Sequence, residues 1–172
     1  MLRYTAKKYS VAVSFGYYEL CDEAIYSSYM FIGKNGEIVN NFRRVSKGWK
    51  EYDITDEHYK EGDGFKTFTY MGKRIALAVC GDLWYEENIE QINKEKFDFL
   101  LYPVYVTYNT EMWRTKLVNE YAEQAKKIPR PVFLVNSICD ADNTRGGCYA
   151  FLNGKTVCEV PMGQDGYLLV RV

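Results

Sequence analysis

The sequence predicts an α/β fold, and two observations carry that prediction. Strand-like segments alternate with helical ones along the chain, as they do in layered α/β proteins. Two of the predicted strands, Arg74–Val79 and Phe97–Val104, are almost continuously apolar, which is typical of strands buried on both faces of a sheet. The 172 residues are enough for one domain with its own core, so we expect a single domain over residues 1–172.

The spacing of apolar residues places the individual elements. Helical periodicity predicts helices at Met1–Tyr9, Asn88–Lys96 and Glu111–Ile128. The polar segment Ser46–Gly64 is predicted to be a loop, and loops of this length in compact domains are usually functional. Alternating or apolar runs bounded by turn residues predict strands at Ser10–Tyr18, Ala24–Ile32, Ile38–Val45, Phe65–Tyr70, Arg74–Val79, Phe97–Val104, Arg130–Ile138, Gly147–Leu152, Thr156–Val160 and Tyr167–Val172.

Composition excludes several classes of function. The formal net charge is −1 and the basic residues are scattered, so nucleic acid is not an expected partner. No apolar run reaches the roughly 18 residues of a membrane span, and the first ten residues do not resemble a signal peptide. The five cysteines lack zinc-site spacing, and His58 is the only histidine. We therefore expect no metal, no cofactor and no membrane association, and a cytoplasmic protein with free thiols.

The segment Ile75–Glu87, IALAVCGDLWYEE, carries the strongest chemical signal. An apolar strand ends at Cys80, and a predicted helix follows soon afterwards. A strand–turn–helix of this kind can expose a nucleophile at the edge of a sheet, and Gly81 permits the sharp turn. The alternative is a buried structural cysteine, which is the commoner role of a free cysteine.

This segment, AVCGDLWYEE, resembles the nucleophile region of the nitrilase superfamily of carbon–nitrogen hydrolases. The segments YSSYMFIGKNGEIVNNFRR, EGDGFKTFTYMGKRIALAVC, FDFLLYPVYVT, RPVFLVNSI and GGCYAF follow in the order expected for that superfamily. The resemblance implies a nitrilase-like α-β-β-α sandwich that is incomplete at the N-terminus, because the chain matches the C-terminal two-thirds of the family fold. It also implies hydrolysis of a small amide, nitrile or carbamoyl compound.

The resemblance assigns three catalytic positions. Cys80 would be the nucleophile that forms an acyl or thioimidate intermediate. The family's oxyanion-stabilising lysine falls at Arg44, and among Arg44, Lys47 and Lys50 we favour Lys50. Glu57 is the candidate for the family's second glutamate, with Glu61 as the alternative. For each of these loop residues the competing interpretation is a solvated surface charge.

Residues after two of the buried strands are candidates for the substrate pocket. Trp84 and Tyr85 follow the nucleophile, and Tyr105 follows the strand Phe97–Val104. Simple packing is the alternative interpretation for these aromatic residues. Asp82 is expected to hydrogen-bond within the turn rather than to take part in the chemistry.

The general-base glutamate of the family, which belongs to an early F-P-E string, has no counterpart in this sequence. We therefore expect impaired hydrolysis by this chain alone. We also expect either a homo-oligomer or a complementing N-terminal chain as partner. Two other functions stay open, namely a non-catalytic remnant or assembly subunit and a glutaminase-type module that supplies ammonia.

Overall fold

A computed structural model describes residues 1–50, 55–140 and 143–172. After helix α1 (Leu2–Tyr9), the first sheet contains β1 (Val13–Cys21), β2 (Ala24–Ile32), β3 (Ile38–Arg43) and β4 (Tyr59–Lys60). There follow β5 (Phe68–Tyr70), β6 (Lys73–Leu77), a 3-10 segment (Cys80–Trp84), α2 (Glu86–Lys94) and β7 (Phe99–Val104). The next helix has three parts, α3 (Thr110–Met112), a π-helical turn (Trp113–Leu117) and α4 (Val118–Lys126). The last strands are β8 (Val132–Asn136), β9 (Ile138–Cys139), β10 (Thr144–Arg145), β11 (Cys148–Leu152) and β12 (Lys155–Val160).

The second sheet has the strand order β12-β11-β8-β7-β6-β5 and carries the candidate nucleophile at one edge. Its three central strands, β6, β7 and β8, are parallel to one another, and the outer strands pair antiparallel. The carboxyl ends of parallel strands meet at one edge of a sheet, where ligands usually bind in α/β folds. The residues that follow β6, β7 and β8 therefore share this edge.

Strand β6 is buried on both faces, as its apolar sequence predicts. Ile75 and Leu77 pack against apolar residues of the first sheet, including Tyr29. Ala76 and Ala78 face the helices and belong to the largest apolar cluster. All four residues from Ile75 to Ala78 are at most 4% exposed. The two sheets therefore lie face to face, and helices α2 and α4 cover the second sheet.

The start of the first sheet lies three residues later than the sequence predicts. We expected a strand at Ser10–Tyr18, whereas β1 spans Val13–Cys21. Ser10 ends α1 in the left-handed conformation, with φ 52°, and its N–H donates to carbonyl groups of the last helical turn. The alternating pattern does not reveal this helix cap, because capping depends on the backbone conformation of a single residue.

The predicted strand Tyr167–Val172 is wrong. This segment has no regular secondary structure, and Tyr167 and Leu169 are 82% and 84% exposed. A strand forms only where a neighbouring backbone supplies hydrogen-bond partners, and local alternation of side chains does not provide that neighbour. The alternating pattern therefore shows that these residues are compatible with a strand, but it does not show that a strand forms.

A charged cluster stabilises the first sheet on the face that carries Glu19. The Glu19 carboxylate accepts hydrogen bonds from Ser28 Oγ at 2.7 Å, Asn41 Nδ2 at 3.0 Å, and Arg43 Nη2 and Nε at 2.7 and 3.0 Å. The Arg43 guanidinium lies over the Tyr26 ring at 3.9 Å. The bonds from Arg43 lower the pKa of Glu19 from 4.5 to about 2. Charge-assisted, bidentate contacts of this kind are stronger than ordinary surface ion pairs.

We expect this carboxylate to contribute to stability in a pH-dependent manner. Because its pKa is lower in the folded protein, the contribution is present above about pH 4.5 and is lost as the pH falls towards 2. Glu19→Gln should lower the free energy of unfolding at pH 7 by about 1–3 kcal/mol and should flatten its dependence on pH in that window. Urea denaturation at several pH values measures both effects.

Glu123→Gln is the matched control, because Glu123 forms an exposed ion pair with Lys126 at 3.3 Å. Such a surface pair contributes roughly 0–1 kcal/mol. Equal effects of the two substitutions would contradict the role assigned to the Glu19 cluster.

Candidate active site

Cys80 lies at the carboxyl end of β6 in a strained backbone conformation. Its φ is 48°, in the left-handed region that residues with a side chain rarely adopt. Residues with such strain cluster at functional sites, where the surrounding structure holds them in place. Cys80 also begins the 3-10 segment, and its side chain is partly exposed. The sharp turn predicted from the sequence is therefore present, although a 3-10 segment comes before α2.

Asp82 holds the turn in place from within the core. Its carboxylate accepts backbone hydrogen bonds from Val79 at 2.8 Å, from Ser46 at 2.7 Å and from Val45 at 3.1 Å. The side chain is fully buried, and burial raises its pKa while these hydrogen bonds oppose that shift. The prediction that Asp82 hydrogen-bonds within the turn is confirmed. The bonds to Val45 and Ser46 also connect the segment after β3 to the turn at Cys80.

Arg44 packs directly against this turn. Its side chain is only 9% exposed, and its Nε donates to Ser46 Oγ at 2.8 Å. A Cβ atom at position 81 would collide with Arg44 Nη2, so glycine at this position allows the guanidinium to approach the backbone next to Cys80. A permanent positive charge thus lies beside the candidate nucleophile.

Two buried tyrosines complete the surroundings of Cys80. The Tyr102 hydroxyl donates to the Cys80 carbonyl at 2.5 Å, and burial raises its pKa well above 10. Burial also raises the pKa of Tyr121, and the neighbouring Cys80 charge raises it further. Both tyrosines therefore stay protonated near neutral pH. The sequence does not identify either tyrosine as a neighbour of Cys80, because only the tertiary structure brings these distant segments together.

Lys50 and the loop glutamates Glu57 and Glu61 are more exposed to solvent than Arg44. The Lys50 ammonium forms an ion pair with Glu61 at 2.9 Å, and both side chains are 23% exposed. The Glu57 side chain is exposed, next to a turn in which Asp56 accepts hydrogen bonds from His58. Among the glutamates weighed from the sequence, Glu61 is thus the one that contacts Lys50. The assignments of Lys50 and Glu57 to catalysis stay predictions.

The predicted pocket aromatics lie along the same edge of the second sheet. Trp84 and Tyr85 are 42% and 37% exposed, and Tyr105 is 46% exposed just beyond β7. The Tyr85 hydroxyl donates to the Lys47 carbonyl at 3.4 Å, which links the predicted loop to the residues after Cys80. The Trp84 ring contacts Tyr121 edge-on, with centroids 5.1 Å apart.

A groove of about 600 Å³ lies at the opposite end of the parallel strands. It is lined by Arg74, Asp98 and Arg130, among others, near the amino ends of β6, β7 and β8. Ligands of open α/β sheets bind outside the carboxyl ends of the strands, so we do not assign this groove to the site at Cys80. Within residues 1–50, 55–140 and 143–172, no cluster of three or more potential metal ligands is present.

The sequence model of the carbon-nitrogen hydrolase family matches residues 1–172, the full length of the chain. The chain belongs to the carbon-nitrogen hydrolase family. This assignment confirms the resemblance found in the sequence. No curated protein is similar enough in sequence to count as a match. None of the helices in the described part of the chain has the length and hydropathy needed to cross a bilayer.

Solved structures of the family share the fold. A carbon-nitrogen hydrolase from Helicobacter pylori superposes with a TM-score of 0.76 at 16% sequence identity, covering 95% of this chain and 62% of that chain. A variant of an amidase from a Nesterenkonia species, which carries acrylamide on its active-site cysteine, gives a TM-score of 0.74 at 14% identity, with coverages of 94% and 63%. The predicted nitrilase-like α/β fold is therefore confirmed. The chain spans less than two-thirds of the length of these structures.

Proposed function

We propose that Cys80 is the nucleophile of a hydrolase that cleaves the C–N bond of small amides. The observation that carries this proposal is the strained, partly exposed position of Cys80 at the carboxyl edge of the parallel strands. A structural cysteine needs neither positive φ nor access to solvent. Membership of the carbon-nitrogen hydrolase family supports the same reaction class.

The substrate class rests on chemistry and on the relatives. The Nesterenkonia amidase has been solved with butyramide in one variant and with the acetamide moiety of fluoroacetamide on its cysteine in another. We therefore propose a small primary amide as the substrate of this site, with nitriles as an alternative that uses the same nucleophile. In the amide reaction, the Cys80 sulfur attacks the carbonyl carbon, the C–N bond breaks, and the departing nitrogen takes up the thiol proton and leaves as ammonia. Water then cleaves the thioester and restores the thiol.

The tetrahedral intermediate needs a positive group near its oxyanion. We propose Arg44 for this role, because it is buried against Gly81, next to the nucleophile. Lys50 is the alternative favoured by the sequence, and its ion pair with Glu61 would hold its ammonium in place. An arginine keeps its charge at any relevant pH but forms a planar fork rather than a point charge.

The general base is the catalytic group for which we assign no residue of this chain. No hydrogen bond or ion pair joins a glutamate to Cys80 among the residues that the structure describes. General acid–base catalysis typically contributes about 10²–10⁴-fold, so we propose that this chain alone turns over slowly. A complementing chain that carries a carboxylate would supply the missing group. If Cys80 forms an adduct but the chain shows no turnover, either by itself or mixed with a complementing chain, the result would favour the assembly-subunit alternative.

Substitution of the two candidate cations distinguishes their roles. We expect Arg44→Ala to lower kcat for butyramide by about 10²–10³-fold, because one oxyanion-stabilising group is removed. Arg44→Lys should restore part of the loss, whereas Lys50→Ala should have a smaller effect. Ammonia release at saturating amide measures kcat, and thermal unfolding checks that each variant folds.

Lys66→Ala is the control, because Lys66 is an exposed lysine before β5. If Lys50→Ala removes activity while Arg44→Ala leaves kcat unchanged, the oxyanion role belongs to Lys50.

A further inference from the structure

We propose that the site at Cys80 selects amides whose acyl group carries a planar apolar substituent, with the exposed face of Trp84 as the contact surface. The inference rests on the proposed function, because the acyl group is the part of the substrate that becomes bound to Cys80. It goes beyond that function in naming a substrate class and the residue that selects it.

Trp84 is fixed in position but is not buried. It ends the 3-10 segment that Cys80 begins, and its ring meets Tyr121 at an interplanar angle of 83°. Even so, 42% of the residue is exposed. The indole has a single polar atom, so most of its exposed surface is apolar, and it lies at the end of the segment that Cys80 begins.

A second exposed aromatic residue packs on the same buried aromatic cluster. Tyr108 is 41% exposed and stacks on Trp113, with centroids 6.3 Å apart. Trp113 in turn contacts Tyr121 at 4.9 Å. Trp84 therefore contacts Tyr121 directly, and Tyr108 is connected to the same tyrosine through Trp113. Rigid aromatic side chains of this kind bind flat apolar groups with little loss of conformational entropy.

The charged groups near this surface favour an uncharged acyl group. Asp82 is fully buried and its carboxylate accepts three backbone N–H groups, so it does not offer a site for a substrate ammonium. Arg44 is the neighbouring cation in the described residues, and its Nε is already bonded to Ser46. A substrate carboxylate bound by Arg44 is the main competing possibility, and the experiment below includes it.

Three matched Michael acceptors test this preference without requiring turnover. Acrylamide has no substituent on its β-carbon, cinnamamide carries a phenyl ring and fumaramate carries a carboxylate. In each case the Cys80 sulfur forms a bond to an alkene carbon, the C=C π bond is lost and the adjacent carbon takes up a proton. The rate of adduct formation at Cys80 is measured by peptide mass mapping. Each rate is divided by the rate of the same compound with N-acetylcysteine, which removes differences in intrinsic reactivity.

We expect the normalised rate for cinnamamide to exceed that for acrylamide by about 10-fold to 100-fold, since a buried ring gains the contact free energy of its apolar surface. Trp84→Ala should remove this preference, and Trp84→Phe should retain most of it. Tyr4→Ala is the control, because Tyr4 is 70% exposed on α1. Equal normalised rates, or a preference for fumaramate, would overturn the proposal.

Hydrolysis of acetamide separates this inference from the proposed function. Acetamide lacks a planar substituent, so its Cys80-dependent hydrolysis tests the nucleophile alone. If acetamide is hydrolysed but cinnamamide is not preferred in labelling, the substrate class is wrong and the function stands. If Trp84→Ala changes the sedimentation coefficient but not the labelling ratio, the exposed indole is a subunit contact, which also overturns the proposal.

Discussion

Cys80→Ala is expected to lower ammonia release from butyramide by at least about 10³-fold. Removal of a covalent nucleophile leaves only the binding and electrostatic contributions of the remaining site. The same substitution should prevent formation of an acyl-enzyme, which intact-mass measurement detects after rapid acid quenching. High protein concentration and single-turnover conditions allow for the slow turnover that we propose for this chain.

Cys158→Ala is the matched control for this experiment. Cys158 is a free, partly buried cysteine on β12, an edge strand of the same sheet. It should retain the activity of the natural sequence, because it lies outside the strands whose carboxyl ends form the site. Activity that survives in Cys80→Ala would remove Cys80 from the reaction, whatever the effect at Cys158.

Asp82→Ala is expected to lower the free energy of unfolding by about 3–5 kcal/mol. The substitution would leave the backbone N–H groups of Val45, Ser46 and Val79 without their acceptor, and each lost buried partner costs about 1–3 kcal/mol before relaxation or water entry. A loss of this size is a large part of the stability of a typical domain. Chemical denaturation, monitored by tryptophan fluorescence, measures the change.

Asp82→Asn separates the hydrogen bonds from the charge. An amide oxygen can accept from Val45 and Ser46, but the amide nitrogen would face the Val79 N–H, so we expect an intermediate loss of stability. Asp98→Ala removes a carboxylate that accepts one exposed backbone N–H, from Arg74, and should cost less. A similar small effect at Asp82 and Asp98 would contradict the bridging role of Asp82.

The sequence predicted the second sheet better than the details of the site. Strand β6 and the turn at Cys80 are recognisable because burial on both faces demands a continuous apolar run, and because a glycine directly after Cys80 permits a sharp turn. In the first sheet, a strand-like run followed by an Asn-Gly turn predicts β2 with its observed bounds, Ala24–Ile32. These features depend on residues that are close together in the sequence, so the sequence alone can predict them.

The parts that the sequence did not predict depend on contacts between distant segments. Tyr121 reaches Cys80 only because α4 packs across the second sheet, and its apolar helix face looks like ordinary core. Likewise, the burial of Arg44 against Gly81 could not be predicted from the loop sequence, and the assignment of Lys50 stays a prediction. The segment after Gly166 has a strand-like pattern and no paired strand, for the same reason.

Competition among the five cysteines tests the central claim most directly. All five are partly buried, so none of them is fully shielded from solvent. We would treat the folded protein with a limiting amount of acrylamide and quantify each modified peptide by mass spectrometry, with urea-unfolded protein as the reference. The account predicts that Cys80 reacts at least about 10-fold faster than each other cysteine, and that this preference disappears on unfolding. Equal reaction of all five cysteines in the folded protein, or preferential reaction at a cysteine other than Cys80, would contradict it.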